Sequence, residues 1–183
     1  MQEDQHKHLR RLERVWVESP VYFVTVCTNQ RQTILADAAF ASVLIDEWRA
    51  AEERHGWLVG RYVIMPDHVH FFCAAEDDAK TLSEFVRLWK QWTTKRIVAA
   101  VDNRGPGIAP AFDEKSALNR RGYSGDGEGA ATTRVWQREF FDHVLRSEES
   151  YAEKWEYVRQ NPVRAGLTAH AEAWAFRGEI HPL

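Results

Sequence analysis

Two apolar runs separated by a two-residue turn constrain the fold of this chain more than any other feature. Residues 57 to 65, WLVGRYVIM, and residues 68 to 75, HVHFFCAA, are rich in the β-branched and aromatic residues that are typical of strands. Pro66 and Asp67 lie between the two runs and are turn residues. Because strands joined by so short a connection pair with each other, the sequence predicts an antiparallel hairpin.

Strand and helix patterns alternate along the rest of the chain. Residues 20 to 28, PVYFVTVCT, predict a strand, and residues 37 to 55 predict a helix with Asp37 as its N-cap. Residues 133 to 145 predict a fourth strand, and a last helix carries the stretch SYAEKWEYVRQ.

A second helix and an insertion lie between the hairpin and the fourth strand. Thr81 and Glu84 form a capping box, which opens a helix that runs to about Val101. The apolar residues expected on one face of this helix are Leu82, Phe85, Trp89 and Trp92. Residues 102–133 hold six of the ten glycines and predict a flexible insertion. This insertion is either a surface loop or a mobile arm that contacts a charged partner.

The order of these elements predicts an α+β fold. The first six correspond to a ferredoxin-like split βαβ with an antiparallel sheet (β-α-β-β-α-β), and the C-terminal helix is an addition. A chain of 183 residues is long enough for one hydrophobic core and short for two. Residues 1–183 are therefore expected to form a single domain.

Charge and cysteine usage narrow the class of protein. A formal net charge of -3 argues against a non-specific nucleic-acid binder, which is basic overall, but permits a local basic groove. Cys27 and Cys73 lie in separate apolar runs, and we expect free thiols in a reducing compartment rather than a disulfide. No stretch resembles a signal peptide or a membrane span, which favours a soluble intracellular protein.

His68 and His70 are the first candidates for chemistry. Because successive side chains of a strand point to opposite faces, the two histidines share one face and Val69 lies on the other. Two neutral imidazoles on one face can bind one divalent metal ion. The alternative is an ordinary pair of sheet-face histidines. Apolar neighbours such as Phe71 favour ligation, because an unpaired polar group buried among them costs free energy.

The last helix has two different sides. Tyr151, Trp155 and Val158 fall on one stripe, which is expected to face the core. Tyr157 lies about 120° from Tyr151 around the helix, on a polar side that also holds Asn161. Tyr157 is therefore either an ordinary surface residue or a residue with a chemical function.

A tyrosine hydroxyl can act as a covalent nucleophile when a metal or cationic groups have polarised the electrophile. His68, His70 and Asn161 offer two nitrogens and one amide oxygen, a mixed set that suits Mg²⁺ or Mn²⁺. Such a metal would polarise a phosphodiester. Asn161 also precedes Pro162, so it has a structural alternative as the cap of the next turn.

Four stretches in combination resemble the single-tyrosine HUH transposases, and most closely the REP-associated tyrosine transposases, which are similar to insertion-sequence transposases. These stretches are YFVTVCTNQR, YVIMPDHVHFF, WQREFFDHVLR and YVRQNPVRAGL, in this order. His68-Val69-His70 resembles the His-hydrophobic-His motif of that family. The resemblance covers most of the chain from residue 20 to about residue 167.

The resemblance implies metal-dependent cleavage of single-stranded DNA near a hairpin formed by palindromic repeats. It implies Tyr157 as the nucleophile of a 5′-phosphotyrosine intermediate, with a free 3′-hydroxyl that can rejoin strands. By position, His68 and His70 are metal ligands and Asn161 is the third, with Gln160 as a weaker alternative. It further implies a monomer rather than a swapped dimer, no membrane partner, and a cytoplasmic location at the nucleoid. The insertion at 102–133 and the acidic net charge depart from the family pattern.

Basic side chains that could contact DNA phosphates occur in three places. They are Arg87, Lys90, Lys95 and Arg96 on the second helix, Arg10, Arg11 and Arg14 near the N-terminus, and Arg164 after the tyrosine helix. Trp89 or Trp92 could stack on an unpaired base. The alternative is a solvated helix face with core tryptophans.

Two other functions are compatible with the same residues. A protein of this fold could bind hairpin DNA without cleaving it. A metal-dependent phosphodiesterase could instead use a metal-bound water, with Tyr157 incidental.

Overall fold

The computed structural model describes residues 20–102, 134–145 and 148–183. Within these ranges the strands are β1 (Val21–Cys27), β2 (Trp57–Ile64), β3 (His68–Ala75), β4 (Phe141–Leu145) and β5 (Arg177–Glu179). The α-helices are α1 (Ala38–Arg49), α2 (Ala51–His55), α3 (Leu82–Asp102), α4 (Glu148–Arg159) and α5 (Asn161–Arg164), and short 3₁₀ turns occur at Asn29–Arg31 and Ala171–Ala173. Beyond Asp102, the insertion predicted over 102–133 lies outside the described residues, as do Arg10, Arg11 and Arg14.

The described strands form one antiparallel sheet in the order β4-β1-β3-β2-β5. β2 and β3 form the predicted hairpin, and β1 lies between β3 and β4. This order of β1 to β4, together with the helices between them, confirms the predicted α+β fold with a ferredoxin-like sheet. The register of β1 on β3 pairs Thr25 with His70 and Cys27 with His68.

Different helices cover the two faces of the sheet. One face, which includes Phe71, packs against α1 and α3, where the rings of Trp48 and Trp89 are nearly parallel with centroids 5.3 Å apart. The opposite face packs against α4, where the ring of Tyr151 meets that of Phe72 at 4.8 Å. The fold is therefore a sheet between two helical layers, and any site on the second face lies close to α4.

Both cysteines are free thiols, as predicted. Cys73 is buried beneath α1 and α3, whereas Cys27 is half-buried on the α4 face of the sheet. Burial raises the pKa of the Cys73 thiol well above its usual value, so this thiol stays protonated. Among the helices of the described ranges, none combines the length and the apolarity needed to cross a bilayer.

The helix predicted over residues 37–55 begins as expected and then divides. The carboxylate of Asp37 accepts hydrogen bonds from two backbone N–H groups of the first turn, at 2.9 and 3.2 Å. The prediction of one continuous helix is wrong, because Ala50, with ψ at 0°, separates α1 from α2. Gly56 ends α2 with a φ of 72°, and a Cβ there would lie 2.8 Å from the Cα of Ala79.

A strand that the sequence pattern did not predict extends one edge of the sheet. β5 pairs with residues 61–63 of β2. The backbone N–H of Ile64 donates to the carbonyl of Phe176 at 2.8 Å, and the indole N–H of Trp174 donates to the carbonyl of Ile64 at 3.0 Å. Three residues are too few for an alternating pattern to be recognised, so this strand depends on pairing with β2.

The predicted apolar face of α3 is wrong at Trp92. Phe85 and Trp89 are buried, but the Trp92 side chain is 43% exposed. The buried stripe advances in steps of four residues, from Phe85 through Trp89 and Thr93 to Ile97, and this drift leaves Trp92 at its edge. Trp89 therefore belongs to the core, and Trp92 faces solvent.

We expect Trp89→Ala to lower the free energy of unfolding by about 3–5 kcal/mol, because it empties a packed position beside Trp48. Trp92→Ala is the matched control, and we expect a change within about 0.5 kcal/mol because that ring is exposed. Urea denaturation followed by far-UV circular dichroism measures both variants. Equal losses in the two variants would contradict the assignment of Trp89 to the core.

Candidate active site

The register of β1 and β3 brings two histidines together on the α4 face of the sheet. His70 pairs with Thr25, and His68 pairs with Cys27. The two imidazole centroids are 4.7 Å apart, with the ring planes nearly perpendicular. The ring of Phe23 stacks on His70 at 5.4 Å. Strand alternation thus places both imidazoles on the face expected from the sequence.

Each histidine uses its Nδ1 atom for a contact within the protein. The Thr25 hydroxyl lies 2.8 Å from Nδ1 of His70, and Oδ1 of Asp67 lies 2.6 Å from Nδ1 of His68. An ionised carboxylate only accepts hydrogen bonds, so Nδ1 of His68 is the donor. The lone pair of the neutral His68 ring therefore lies on Nε2, which is the atom that can bind a metal.

Both imidazoles are held in the neutral form. Burial lowers the pKa of His70 to about 3, and the charges of His68, Arg31, Lys154 and Arg164 act in the same direction. Burial also lowers the pKa of His68, although the hydrogen bond and charge of the adjacent Asp67 oppose the shift. Neutral rings are the form that binds metals.

Tyr157 lies on the polar side of α4, the helix that covers the face of the sheet with the histidine pair. Its side chain is 61% exposed, whereas that of the next residue, Val158, is buried in the core. The ammonium group of Lys154 lies 4.9 Å from the ring centroid of Phe23, which stacks on His70, and 5.9 Å from that of Tyr157. Lys154 therefore lies between Phe23 of β1, the ring that stacks on His70, and the exposed tyrosine.

Asn161 lies just beyond α4 and not on a continuation of it. α4 ends at Arg159, and α5 begins at Asn161 with Gln160 at the N-cap position, so the alternative in which Asn161 caps this turn is wrong. Arg164 donates from Nη2 to the carbonyl of Tyr157 at 2.7 Å and contacts Oδ1 of Asn161. Its guanidinium also lies 4.1 Å from the Tyr157 ring centroid. The amide of Gln160 is directed elsewhere, since its Nε2 donates to a Glu156 carboxylate oxygen at 3.3 Å.

A basic groove lies on the opposite side of the sheet, between α3 and the segment that leads to β4. It has a volume of about 690 Å³. Its cationic lining residues are Arg87, Lys90, Lys95, Arg134 and Arg138, and Glu139 is the acidic one. The excess of cations suits a polyanion such as a nucleic-acid backbone.

The residues predicted to contact DNA differ in their availability. The Lys90 ammonium donates to three successive carbonyls, those of residues 137–139, at 3.0 to 3.2 Å, and so holds the segment against α3. Arg96 pairs with Asp46 and Glu47 at 3.0 and 2.9 Å and links α3 to α1, outside the lining of the groove. Arg87 and Lys95 line the groove and are exposed.

The tryptophans predicted to stack on bases also differ. Trp89 is 2% exposed and its ring lies against the rings of Trp48 and Trp136, so it cannot accept a base. Trp92 is exposed, with the Lys95 ammonium 4.8 Å from its ring centroid.

Comparisons with known proteins place this arrangement in a family. Residues 17–107 match the family described as "Transposase IS200 like". Over this region, about half of its length, the chain is similar to the IS200-like transposases. The matched region runs from before β1 to beyond the end of α3 and so includes the histidine pair. Transposases are enzymes, and the prediction of a transposase is therefore confirmed.

Two relatives extend the likeness of this IS200-like chain beyond α3. A protein of Haemophilus influenzae, provisionally named a REP-associated tyrosine transposase, is 22% identical over 180 residues, with coverage of 92% of this chain and 89% of that protein. A solved structure of a REP-associated tyrosine transposase bound to a REP hairpin aligns with a TM-score of 0.63 and 17% identity, covering 92% of this chain and 82% of that one. The resemblance to REP-associated tyrosine transposases and the fold are thus confirmed.

The histidine pair of this IS200-like transposase fits a divalent metal ion. Both rings are neutral, and His68 donates from Nδ1 to the Asp67 carboxylate, which is the outer contact that metal-binding histidines usually have. Across the described ranges, no three His, Cys, Asp or Glu residues cluster in a metal-binding group. The amide oxygen of Asn161 is a ligand type outside those four residue types.

Sequence reasoning missed Thr25, Arg31, Asp67 and Lys154 as parts of this site. Thr25 and Lys154 reach it only through the pairing of β1 with β3 and the packing of α4, which no local pattern reveals. Asp67 appeared to be a turn residue alone. Its position directly before a histidine of an alternating strand is the one signal that sequence offers for a carboxylate–imidazole contact.

We expect the metal-free protein to lose stability as the pH falls from about 6.5 towards 4. The pKa of His70 is about 3 in the folded protein and 6.5 in an ordinary setting, so in this interval the unfolded chain binds the extra proton. Acidification then favours unfolding, by up to about 1.4 kcal/mol per pH unit. Thermal denaturation measured between pH 7 and pH 4.5 tests this expectation.

His70→Gln should have a weaker dependence of the melting temperature on pH, because the buried imidazole is gone. His143→Gln, which removes an exposed histidine of β4, is the control and should retain the wild-type dependence. A wild-type profile in His70→Gln would show that this histidine is not the group that resists protonation.

Proposed function

We propose that this chain cleaves and rejoins single-stranded DNA at hairpins formed by palindromic repeats. Tyr157 is the nucleophile, and His68, His70 and Asn161 hold a divalent metal ion, Mg²⁺ or Mn²⁺. The observation that carries the proposal is the pair of neutral imidazoles on the face of the sheet that α4 covers, together with an exposed tyrosine of α4 that is flanked by Lys154 and Arg164.

The relatives support the substrate class. The Haemophilus influenzae relative is named as a REP-associated tyrosine transposase. The relative of known structure is bound to a REP hairpin. Transfer of that substrate to this chain is part of the proposal. In it the protein acts as a monomer, in the cytoplasm and at the nucleoid.

The proposed chemistry is a transfer of a phosphodiester to tyrosine. The Tyr157 oxygen forms a bond to the phosphorus, the bond from phosphorus to the 3′-oxygen breaks, and the tyrosine proton passes to the leaving 3′-oxygen, which becomes a free 3′-hydroxyl. The 5′-phosphate remains on Tyr157, and attack by a 3′-hydroxyl on this ester rejoins the strands. The metal, when bound, supplies polarisation of the phosphodiester.

The protein groups around Tyr157 have separate tasks in this reaction. Lys154 and Arg164 place two cations beside the tyrosine ring, where they attract the anionic phosphate. Arg164 also ties the Tyr157 carbonyl to the Asn161 side chain, so the nucleophile and the proposed ligand are oriented together. Thr25 and Asp67 orient the two imidazoles from the opposite side.

We expect Tyr157→Phe to abolish the covalent protein–DNA adduct while DNA affinity stays within a few fold, because only the attacking oxygen is removed. Tyr151→Phe is the matched control, since Tyr151 packs against Phe72 in the core, and it should still form the adduct. The measurement is mass spectrometry after incubation with Mn²⁺ and a library of single-stranded hairpins. An adduct in Tyr157→Phe would eliminate the nucleophile assignment.

The same measurement separates the other functions. DNA binding without an adduct or cleavage would leave a hairpin-binding protein. Free cleavage products without an adduct would indicate a phosphodiesterase that uses metal-bound water.

The basic groove on α3 is proposed to hold a length of DNA away from the cleavage site. We expect Arg87→Ala and Arg138→Ala each to weaken DNA binding several-fold and to reduce the salt slope by about 0.7 to 1, because each removes one phosphate contact. Lys80→Ala, which removes an exposed cation outside that groove, is the control and should leave both quantities unchanged.

Fluorescence anisotropy with a labelled hairpin oligonucleotide at several salt concentrations gives these slopes. If Lys80→Ala and the groove variants weaken binding equally, the groove has no specific part in DNA binding.

A further inference from the structure

Two consecutive residues before the helical layer adopt a strained backbone. Gln30 has φ 54° and Arg31 has φ 57°, and both lie in the left-handed region that favours glycine. Non-glycine residues in this region cost conformational free energy, and such strain persists only where surrounding contacts enforce it. The turn Asn29–Arg31 follows β1 directly, at the end of the sheet where the histidine pair lies.

The strained backbone directs the Arg31 side chain onto the carboxylate next to the histidines. Nε of Arg31 lies 2.7 Å from Oδ2 of Asp67, and Nη1 donates to Sγ of Cys27 at 2.7 Å. The other oxygen of Asp67, Oδ1, accepts the hydrogen bond from Nδ1 of His68 at 2.6 Å. Arg31, Asp67 and His68 therefore form a continuous chain of charge-assisted contacts.

The loop does not need the Arg31 side chain to stay in place. The backbone N–H and the buried hydroxyl of Thr28 both donate to the carbonyl of Asp67 at 2.9 Å. The N–H of Leu35 donates to the carbonyl of Pro66 at 2.8 Å. Backbone contacts thus already join this loop to the β2–β3 turn, and the half-exposed guanidinium adds little to that connection.

We propose that Arg31 and Asp67 are positioning residues that aim Nε2 of His68 at the metal ion. A carboxylate held at both oxygens cannot rotate, so it fixes the tautomer and the ring orientation of the histidine that it accepts from. The backbone strain at Gln30 and Arg31 is retained because it brings the guanidinium to Asp67. This inference rests on the proposed metal-dependent function and extends it to residues outside the ligand set.

Arg31→Gly is the decisive variant, because it removes the guanidinium and at the same time relieves the left-handed strain. We expect the melting temperature of the metal-free protein to be unchanged or higher, while the Kd for Mn²⁺ rises by about tenfold or more. Gln30→Gly is the matched control, since it relieves strain at the neighbouring residue and keeps the guanidinium. It should retain the wild-type Kd. Electron paramagnetic resonance of free Mn²⁺ measures the Kd without reference to catalysis.

Asp67→Asn tests the central residue in the series of contacts from Arg31 to His68. It should raise the Kd for Mn²⁺ at least as much as Arg31→Gly, because the amide cannot bind the guanidinium as an anion. Nη2 of Arg31 also lies 3.5 Å from Nδ1 of His68, but that nitrogen carries its proton and cannot accept a hydrogen bond from the guanidinium. Arg31 therefore acts through Asp67, and the double variant Arg31→Gly, Asp67→Asn should be no worse than Asp67→Asn alone. Arg31→Lys should recover part of the affinity that Arg31→Gly loses.

Three results would overturn the positioning role. They are a lower melting temperature of Arg31→Gly with an unchanged Kd for Mn²⁺, additive losses in the double variant, and a wild-type protein that does not bind Mn²⁺ at millimolar concentration. A different result would contradict the proposed function and leave the positioning role intact. The wild-type protein would bind Mn²⁺ with the expected ranking of variants and yet form no adduct with hairpin DNA.

Discussion

The antiparallel pairing of β1 with β3 is the interaction on which the rest of the structure depends. In its register, Thr25 stands opposite His70 and Cys27 opposite His68, and the alternate residues of both strands face α1 and α3. A shift of one residue would exchange the two faces of a strand, and would place imidazoles against Trp48 and Phe71 on the face that α4 covers. The packing of one face therefore enforces the geometry of the site on the other.

In α4, too, packing of the apolar side determines where the functional side chains lie. Its apolar stripe fixes the helix on the sheet through the contact of Tyr151 with Phe72, and this contact sets where the polar residues Lys154 and Tyr157 lie. Lys154 extends over the Phe23 ring and lies 5.9 Å from the Tyr157 ring centroid, so its charge is placed between the sheet and the tyrosine. Pre-organised charge of this kind is what phosphoryl transfer requires.

Local patterns in the sequence were sufficient to predict the parts of the fold that depend on interactions between residues close in the chain. The hairpin, the cap at Asp37 and the two sides of the tyrosine helix all follow from spacing over a few residues. β5 and the contacts of Thr25 could not be predicted, because they depend on strands that are distant in the chain. The left-handed turn at Arg31 could not be predicted either, since sequence carries no signal for a positive φ outside glycine and its few substitutes.

The strand order also has a consequence for the time at which the site forms. The β2–β3 hairpin joins neighbouring residues and can close within microseconds, and it already carries both histidines. Thr25 is 45 residues from His70, and β1 must also accept residue 143 beside residue 23. Contacts of such separation form slowly, because the intervening chain must be ordered before they are made. We therefore expect the histidines to form early in folding as a solvated pair, and to become a buried, oriented site only when β1 completes the centre of the sheet.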